Sequence, residues 1–125
     1  MINNKHSILS VDSNPDYLFF VPMTCAFWKE IDYQPVVYLV EDSISPELRK
    51  LVFEATEKVG GRINVLNPIE GYRTCNIAQI CRLYAAADPA FKDDDYLLTD
   101  DMDKFVIDYM WFNQQSASKD IHIYD

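Results

Sequence analysis

Residues 35–40 are the segment that most restricts the fold of this chain. They read Pro-Val-Val-Tyr-Leu-Val, an apolar and largely β-branched run without polar alternation. Such a run is typical of a parallel strand that is covered on both faces, whereas a strand with one solvated face alternates apolar and polar residues. The segment therefore predicts a parallel sheet that lies between two layers of helices.

Other strand and helix patterns alternate with this run. Further strands are predicted at 7–11, 62–66 and 96–99. Helices are predicted at 16–30, 46–59 and 74–87. Pro22 should kink or split the first helix, because it lacks a backbone donor. The order β-α-β-α-β-α-β predicts an α/β fold with a mostly parallel, Rossmann-like sheet, right-handed crossovers and helices on both faces.

Hydrophobic spacing predicts which side of two helices faces the core. In the second helix the apolar positions are Leu48, Leu51, Val52, Ala55 and Val59. In the third helix they are Ile77, Ile80, Cys81 and Tyr84. Both sets recur at helical spacing, so each should form one buried stripe.

Length and composition limit the class of protein. A chain of 125 residues with 49% hydrophobic content predicts one folded domain over residues 1–125. The net charge of -9 argues against nucleic-acid binding, which depends on Lys and Arg. Three cysteines without Cys-x-x-Cys spacing fit a reducing compartment, and neither a secretory signal nor a membrane-spanning segment is recognised. A soluble, cytoplasmic protein is expected.

Acidic residues directly follow the fourth predicted strand, at 96–99. Asp100, Asp101, Met102 and Asp103 come after Tyr-Leu-Leu-Thr. In extended backbone residues i and i+2 point the same way, so the carboxylates of Asp101 and Asp103 should converge. Mg²⁺ and Mn²⁺ join such carboxylates and complete their shell with water and phosphate oxygens. Asp101 and Asp103 are therefore predicted to hold a metal against a phosphate-bearing ligand.

A solvated acidic turn is the alternative interpretation of any Asp-rich segment, and Asp93–Asp95 is assigned to it. Asp101 and Asp103 differ because apolar segments flank them on both sides, where unpaired acids would be costly to bury. The sequence contains no Gly-rich phosphate loop, which favours a metal as the phosphate ligand. His6 and His122 lie near the termini without a partner pattern and receive no role.

The segment Cys81–Ala86, which begins Cys-Arg-Leu-Tyr, is followed by the apolar strand and by Asp101-Met102-Asp103. This order resembles the Arg-Leu, strand and Asp-x-Asp core of the GT-A-fold glycosyltransferases. In outline the resemblance extends from Ser7 to Val106. It implies a domain that binds a nucleotide-diphosphate sugar, with a UDP-sugar expected, and transfers the sugar to a glycan or other hydroxyl acceptor.

The resemblance also implies roles for single residues. Asp101 and Asp103 match the acids that contact metal and ribose, and Arg82 matches a helix arginine that faces the donor. Val11 and Asp12 lie where these enzymes usually hold the nucleotide base. Further positions on the donor side are Arg73, Asn76, Gln79, Asp100 and Met102. The resemblance assigns no catalytic base.

Several of these positions also have a purely structural interpretation. Arg82 could pair with Asp88 or another acid on a helix surface. Arg73 could be an exposed loop residue, and Asn76 an ordinary polar residue of an early helical turn. Asp12 could belong to the turn that begins the first helix.

Enzymes of the GT-A fold usually continue well beyond the motif, whereas this sequence ends soon after it. Either the chain is a fragment that holds the donor-binding half, or it is a minimal member whose acceptor site is built from residues 105–125. The fragment is expected, because 121–124 has the pattern of a strand that is just beginning. One alternative is a Mg²⁺-dependent haloacid-dehalogenase-like phosphatase with Asp101 as nucleophile, which is disfavoured because that motif normally follows the first strand. The other is a non-enzymatic acidic α/β interaction domain that docks a partner through the aromatic segment 17–28.

Overall fold

The computed structural model of the protein describes residues 4–105. Four strands form one all-parallel sheet in the order β3-β2-β1-β4. The strands are β1 (Lys5–Asp12), β2 (Gln34–Val40), β3 (Arg62–Leu66) and β4 (Tyr96–Thr99). The predicted strands and the predicted α/β class are confirmed, while the strand predicted at 121–124 lies outside the described residues.

Helices connect the successive strands. They are α1 (Pro15–Leu18), α2 (Val21–Glu30), α3 (Pro46–Lys58) and α4 (Thr74–Cys81), the last continuing as a 3-10 helix (Arg82–Ala87). The first predicted helix is split in two, and Pro22 lies in the first turn of α2, where its missing donor costs nothing. Within residues 4–105 no helix is both long and apolar enough to cross a bilayer.

Side chains cap the two helices whose start the sequence marks most clearly. Asn14 caps α1 and Ser45 caps α3, each accepting a hydrogen bond from a backbone N–H of the first turn, at 3.1 and 3.2 Å. A proline follows each cap as the first helical residue. These caps fix where the chain turns away from the carboxyl ends of β1 and β2.

The two central strands are buried on both faces. On one face Leu9 of β1 packs in a core with Trp28 of α2 and Val52 of α3. On the other face Ile8 packs with Ala85 of the 3-10 helix. Because consecutive side chains of β1 and β2 alternate between two apolar layers, neither strand shows polar alternation.

The buried faces of two helices differ from those predicted. Ile80 and Tyr84 are 53% and 69% exposed, while Ala78 and Ala85 are buried against the sheet. Leu51 of α3 is also exposed. Small side chains let a helix approach a sheet closely. The spacing of large apolar residues therefore does not predict that Ala78 and Ala85 are the buried ones.

Asp95 corrects a second expectation, since it does not belong to a solvated turn. Its side chain is 5% exposed and lies 3.4 Å from His6 Nε2. Its carboxylate accepts a hydrogen bond from the backbone N–H of Lys92 at 2.9 Å, which holds the pKa of Asp95 below its usual value. Asp93 and Asp94 are exposed, as expected.

Gly61 lies where α2, α3 and β3 meet. A Cβ at this position would lie 2.7 Å from Thr56 Cγ2 and 3.0 Å from Cys25 Sγ, and both neighbours are fully buried. We expect Gly61→Ala to lower the free energy of unfolding by about 1–3 kcal/mol, as overpacking does. Urea denaturation measures this change. In a Thr56→Ser background, which lacks the clashing methyl group, the same substitution should cost less, and an undiminished cost would contradict this account.

Tyr38 connects β2 to the end of the 3-10 helix. Its hydroxyl donates a hydrogen bond to Asp88 Oδ2 at 2.7 Å, and the Ala90 N–H and this hydroxyl together lower the pKa of Asp88. Tyr38→Phe should lower the free energy of unfolding by about 1 kcal/mol at neutral pH, the usual net value of one hydrogen bond. A carboxylate with a depressed pKa stabilises the fold above its unfolded pKa and loses that contribution as pH falls through its folded pKa. The difference in the free energy of unfolding between Tyr38→Phe and the wild-type protein should therefore become smaller at acidic pH.

The matched control is Tyr72→Phe, because the Tyr72 side chain is 70% exposed. Its urea midpoint should equal that of the wild-type protein at every pH. An equal loss of stability in the two variants would show that the contact between Tyr38 and Asp88 is not the cause.

Candidate functional site

A pocket of about 300 Å³ opens at the carboxyl edge of the sheet, beside the end of β1. β1 pairs with β2 from His6 to Asp12 but with β4 only from Lys5 to Ile8. Within residues 4–105, the last residues of β1 therefore have no strand beside them on the β4 side. This is also where the strand order changes direction, and open parallel sheets bind ligands at such a switch point.

Most of the predicted site residues meet in this pocket. Those that line it are Val11, Asp12, Gln79, Arg82, Asp101, Met102 and Asp103. They come from the end of β1, from α4 and the residue after it, and from the turn that follows β4. Residues far apart in the sequence are thus brought together at one edge of the sheet.

Arg73, Asn76 and Asp100 were also predicted to contact the donor, but they lie outside the pocket lining. Arg73 and Asn76 are exposed at the start of α4. The Asp100 carboxylate turns back to accept a hydrogen bond from the Asp101 N–H at 2.8 Å, and its burial raises the pKa of Asp100. Their contact with a ligand stays a prediction.

The pocket also contains residues that the sequence did not mark as functional. These are Ser10, Asn14, Tyr17, Cys75 and Ala78. Asn14 caps α1, and Tyr17 belongs to the aromatic segment 17–28 and is 45% exposed. Asn14 and Tyr17 lie three residues apart, immediately after β1. This spacing places both on one side of a helical turn, and it is the signal that could have identified them.

Asp12 holds two walls of the pocket together. Its Oδ1 accepts a hydrogen bond from the Asn14 N–H at 3.0 Å, and its Oδ2 accepts one from the Thr74 hydroxyl at 3.0 Å. One oxygen thus fixes the turn into α1, and the other fixes the first residue of α4. The turn interpretation of Asp12 is correct, and the same side chain also positions α4.

The turn after β4 is anchored through its middle residue. β4 ends at Thr99, so Asp101 and Asp103 lie in a turn and not in the extended backbone from which their convergence was predicted. Thr24, buried in α2, donates a hydrogen bond from its hydroxyl to the Met102 carbonyl, and the Met102 side chain is 4% exposed in the core. Because the middle residue is held inward, both flanking aspartates border the pocket.

Asp101 carries the strongest electrostatic contacts of the pocket. Arg82 Nη1 donates hydrogen bonds to Asp101 Oδ1 at 2.8 Å and to the Asp100 carbonyl at 3.0 Å. Lys104 Nζ lies 3.4 Å from Asp101 Oδ2. The hydrogen bond from Arg82 holds the pKa of Asp101 below its usual range, so the group is ionised at neutral pH. Arg82 therefore pairs with Asp101 and not with Asp88.

The donor set of the pocket fits one kind of metal site. Asp101 and Asp103 provide two carboxylates, which is what Mg²⁺ or Mn²⁺ takes when water and phosphate complete the shell. In the part of the chain that the structure describes, no group of three or more His, Cys, Asp or Glu side chains is placed to hold a metal ion. The two carboxylates that border the pocket therefore suit a metal that shares its shell with a phosphate ligand.

The chain matches no protein-family model, and neither a curated protein nor a solved structure matches it. The resemblance to GT-A-fold glycosyltransferases therefore stays a prediction that rests on the motif and the order of elements.

Thr74 provides a test of how the pocket wall is held. Thr74→Val removes the hydroxyl that donates to Asp12. The partly buried Oδ2 of Asp12 then lacks this hydrogen bond. We expect the free energy of unfolding to fall by about 1–2 kcal/mol and the backbone amides of α4 to exchange faster with solvent. Thr74→Ser keeps the hydroxyl and should behave like the wild type. If Thr74→Ser loosens α4 as much as Thr74→Val does, the hydrogen bond is not what holds the helix.

Proposed function

We propose that this chain binds a nucleotide-diphosphate sugar, a UDP-sugar in the first instance, together with Mg²⁺ or Mn²⁺, as the donor-binding part of a glycosyltransferase. The observation that carries the proposal is that Arg82, Asp101 and Asp103 border one pocket at the switch point of the sheet. A guanidinium and two carboxylates at this position are the groups that would bind a diphosphate and its metal.

The other walls of the pocket suit the nucleoside. Val11 and Asp12 border it at the end of β1, and the half-exposed Tyr17 offers an aromatic face on which a base could stack. The first turn of α4 borders the same space through Cys75, and helix N-termini favour anionic groups. A base near Tyr17 and phosphates near α4 and Arg82 is the orientation that these groups favour.

The phosphates would be held by charge. The Arg82 guanidinium also donates a hydrogen bond to the Asp100 carbonyl, which fixes its position. When bound, the metal would neutralise the charge that develops on the departing diphosphate as the sugar is transferred to an acceptor hydroxyl. Asp101 and Asp103 are the residues that would hold it. No residue is assigned here as the base that activates the acceptor.

We further propose a cytoplasmic location. The three cysteines are free thiols, with Cys25 fully buried and Cys75 and Cys81 partly buried. Free thiols persist in a reducing compartment, where structural disulfides are rare. Reagent accessibility and disulfide mapping of protein from its native cells would test this proposal.

Calorimetry with the full chain tests the binding proposal. UDP, GDP and their sugars are titrated with and without Mn²⁺ into the wild-type protein, Asp101→Asn and Asp103→Asn. Wild-type protein should bind one nucleotide class with a strong dependence on Mn²⁺. Each substitution should weaken that binding by at least on the order of 10- to 100-fold, because that range is the loss found when residues that only orient the ligands of a metal are replaced.

The control variant is Asp94→Asn, which makes the same change of charge at an exposed position before β4. It should bind like the wild-type protein. Nucleotide binding that ignores Mn²⁺, or no binding by a folded sample, would contradict the proposal, and the latter result would favour the acidic interaction domain. A phosphoenzyme trapped at Asp101 would instead favour the phosphatase.

A further inference from the structure

The Asp101 carboxylate has a positively charged partner at each of its two oxygens. Arg82 Nη1 lies 2.8 Å from Oδ1, and Lys104 Nζ lies 3.4 Å from Oδ2. Both cations belong to this chain. The carboxylate is therefore neutralised without any added ion, on both of the oxygens through which it would bind a metal.

The two cations hold Asp101 with different strength. The Arg82 side chain is 23% exposed and also donates to the Asp100 carbonyl at 3.0 Å, which keeps it in place. The Lys104 side chain is 64% exposed and lies between two carboxylates, 3.4 Å from Asp101 and 3.7 Å from Asp100. Exposed pairs of this second kind contribute little, whereas the charge-assisted hydrogen bond from Arg82 is the stronger contact.

These contacts act against a divalent cation that arrives alone. To bind Asp101, such a cation must displace or share the bonds from Arg82 and Lys104 and then remain close to two positive charges. A diphosphate removes both obstacles, because its oxygens offer the displaced guanidinium and ammonium groups new anionic partners. The electrostatic cost of metal binding thus depends on whether phosphate is present.

We propose that Arg82 and Lys104 are internal counterions of Asp101 that make metal binding conditional on a phosphate-bearing ligand. The inference rests on the proposed function for the identity of that ligand. It goes beyond that function by assigning the two residues a role in the absence of nucleotide. Removing either positive charge should then tighten the binding of metal alone and weaken the thermodynamic coupling between metal and diphosphate.

Mn²⁺ is titrated into the full chain without nucleotide, and the concentration of free Mn²⁺ is measured by electron paramagnetic resonance. Arg82→Gln should bind Mn²⁺ more tightly than the wild type by roughly tenfold, equivalent to about 1.4 kcal/mol. Lys104→Gln should shift the affinity in the same direction by a smaller factor. Lys50→Gln is the matched control, because it also removes one positive charge. The Lys50 side chain lies on α3, is 74% exposed and pairs with Glu54.

The same titration in the presence of UDP measures the coupling. Coupling between two ligands is reciprocal, so the factor by which UDP tightens Mn²⁺ equals the factor by which Mn²⁺ tightens UDP. This factor should be smaller in Arg82→Gln than in the wild type. An unchanged factor together with an unchanged Mn²⁺ affinity would overturn the inference.

Two further outcomes separate the inference from the proposed function. If Arg82→Gln and Lys104→Gln bind Mn²⁺ no more tightly than Lys50→Gln, the counterion role is wrong, even where the wild type binds UDP with Mn²⁺. If both variants gain Mn²⁺ affinity while no nucleotide binds, the counterion role stands and the proposed ligand is wrong. Should Arg82→Gln fail to fold, Lys104→Gln decides, because the Lys104 side chain is 64% exposed and its replacement should perturb the fold little.

Discussion

The pairing of β1 with β2 and β4 is the constraint on which the rest of the structure depends. β1 is buried on both faces, so helices must cover it from both sides. Its pairing with β2 continues to Asp12, whereas its pairing with β4 stops at Ile8. Among the described residues, this difference in length leaves the end of β1 without a neighbouring strand on one side, and the pocket lies there. The site is thus a consequence of strand register as well as of side-chain chemistry.

Buried anchors place the charged groups of the pocket. Thr24 and Met102 hold the turn after β4 against the core, and Asp12 holds the start of α4. These contacts fix the backbone while Asp101 and Asp103 border the pocket. Arg82 and Lys104, which both belong to this chain, then balance the negative charge of Asp101. A ligand that enters must replace those contacts with comparable ones, which favours an anion accompanied by a cation.

Prediction from the sequence succeeded for the strands and failed for parts of the helix surfaces. An apolar run such as 35–40 has few alternatives to a doubly covered strand, and prolines and caps mark the helix starts. The distance between α4 and the sheet determines which face of α4 is buried. Ala78 is buried because the helix lies close to the sheet, and Ile80 is exposed. In the site, both members of the acidic pair line the pocket, although the backbone there is a turn and not a strand, and their role as metal ligands stays a prediction. Asn14 and Tyr17 were missed because a cap and an aromatic helix residue already explained them.

The sequence by itself determined the order of strands and helices within the described residues, the parallel class of the sheet and the position of Asp101 and Asp103 after β4. Local periodicity and turn chemistry are enough for these, because they involve residues close together in the chain. Only the tertiary structure decided that β4 lies beside β1, that Arg82 reaches Asp101 rather than Asp88, and that Asp12 binds Thr74. Each of these contacts joins residues far apart in the sequence, and their geometry is set by strand order and helix packing, which no local pattern records.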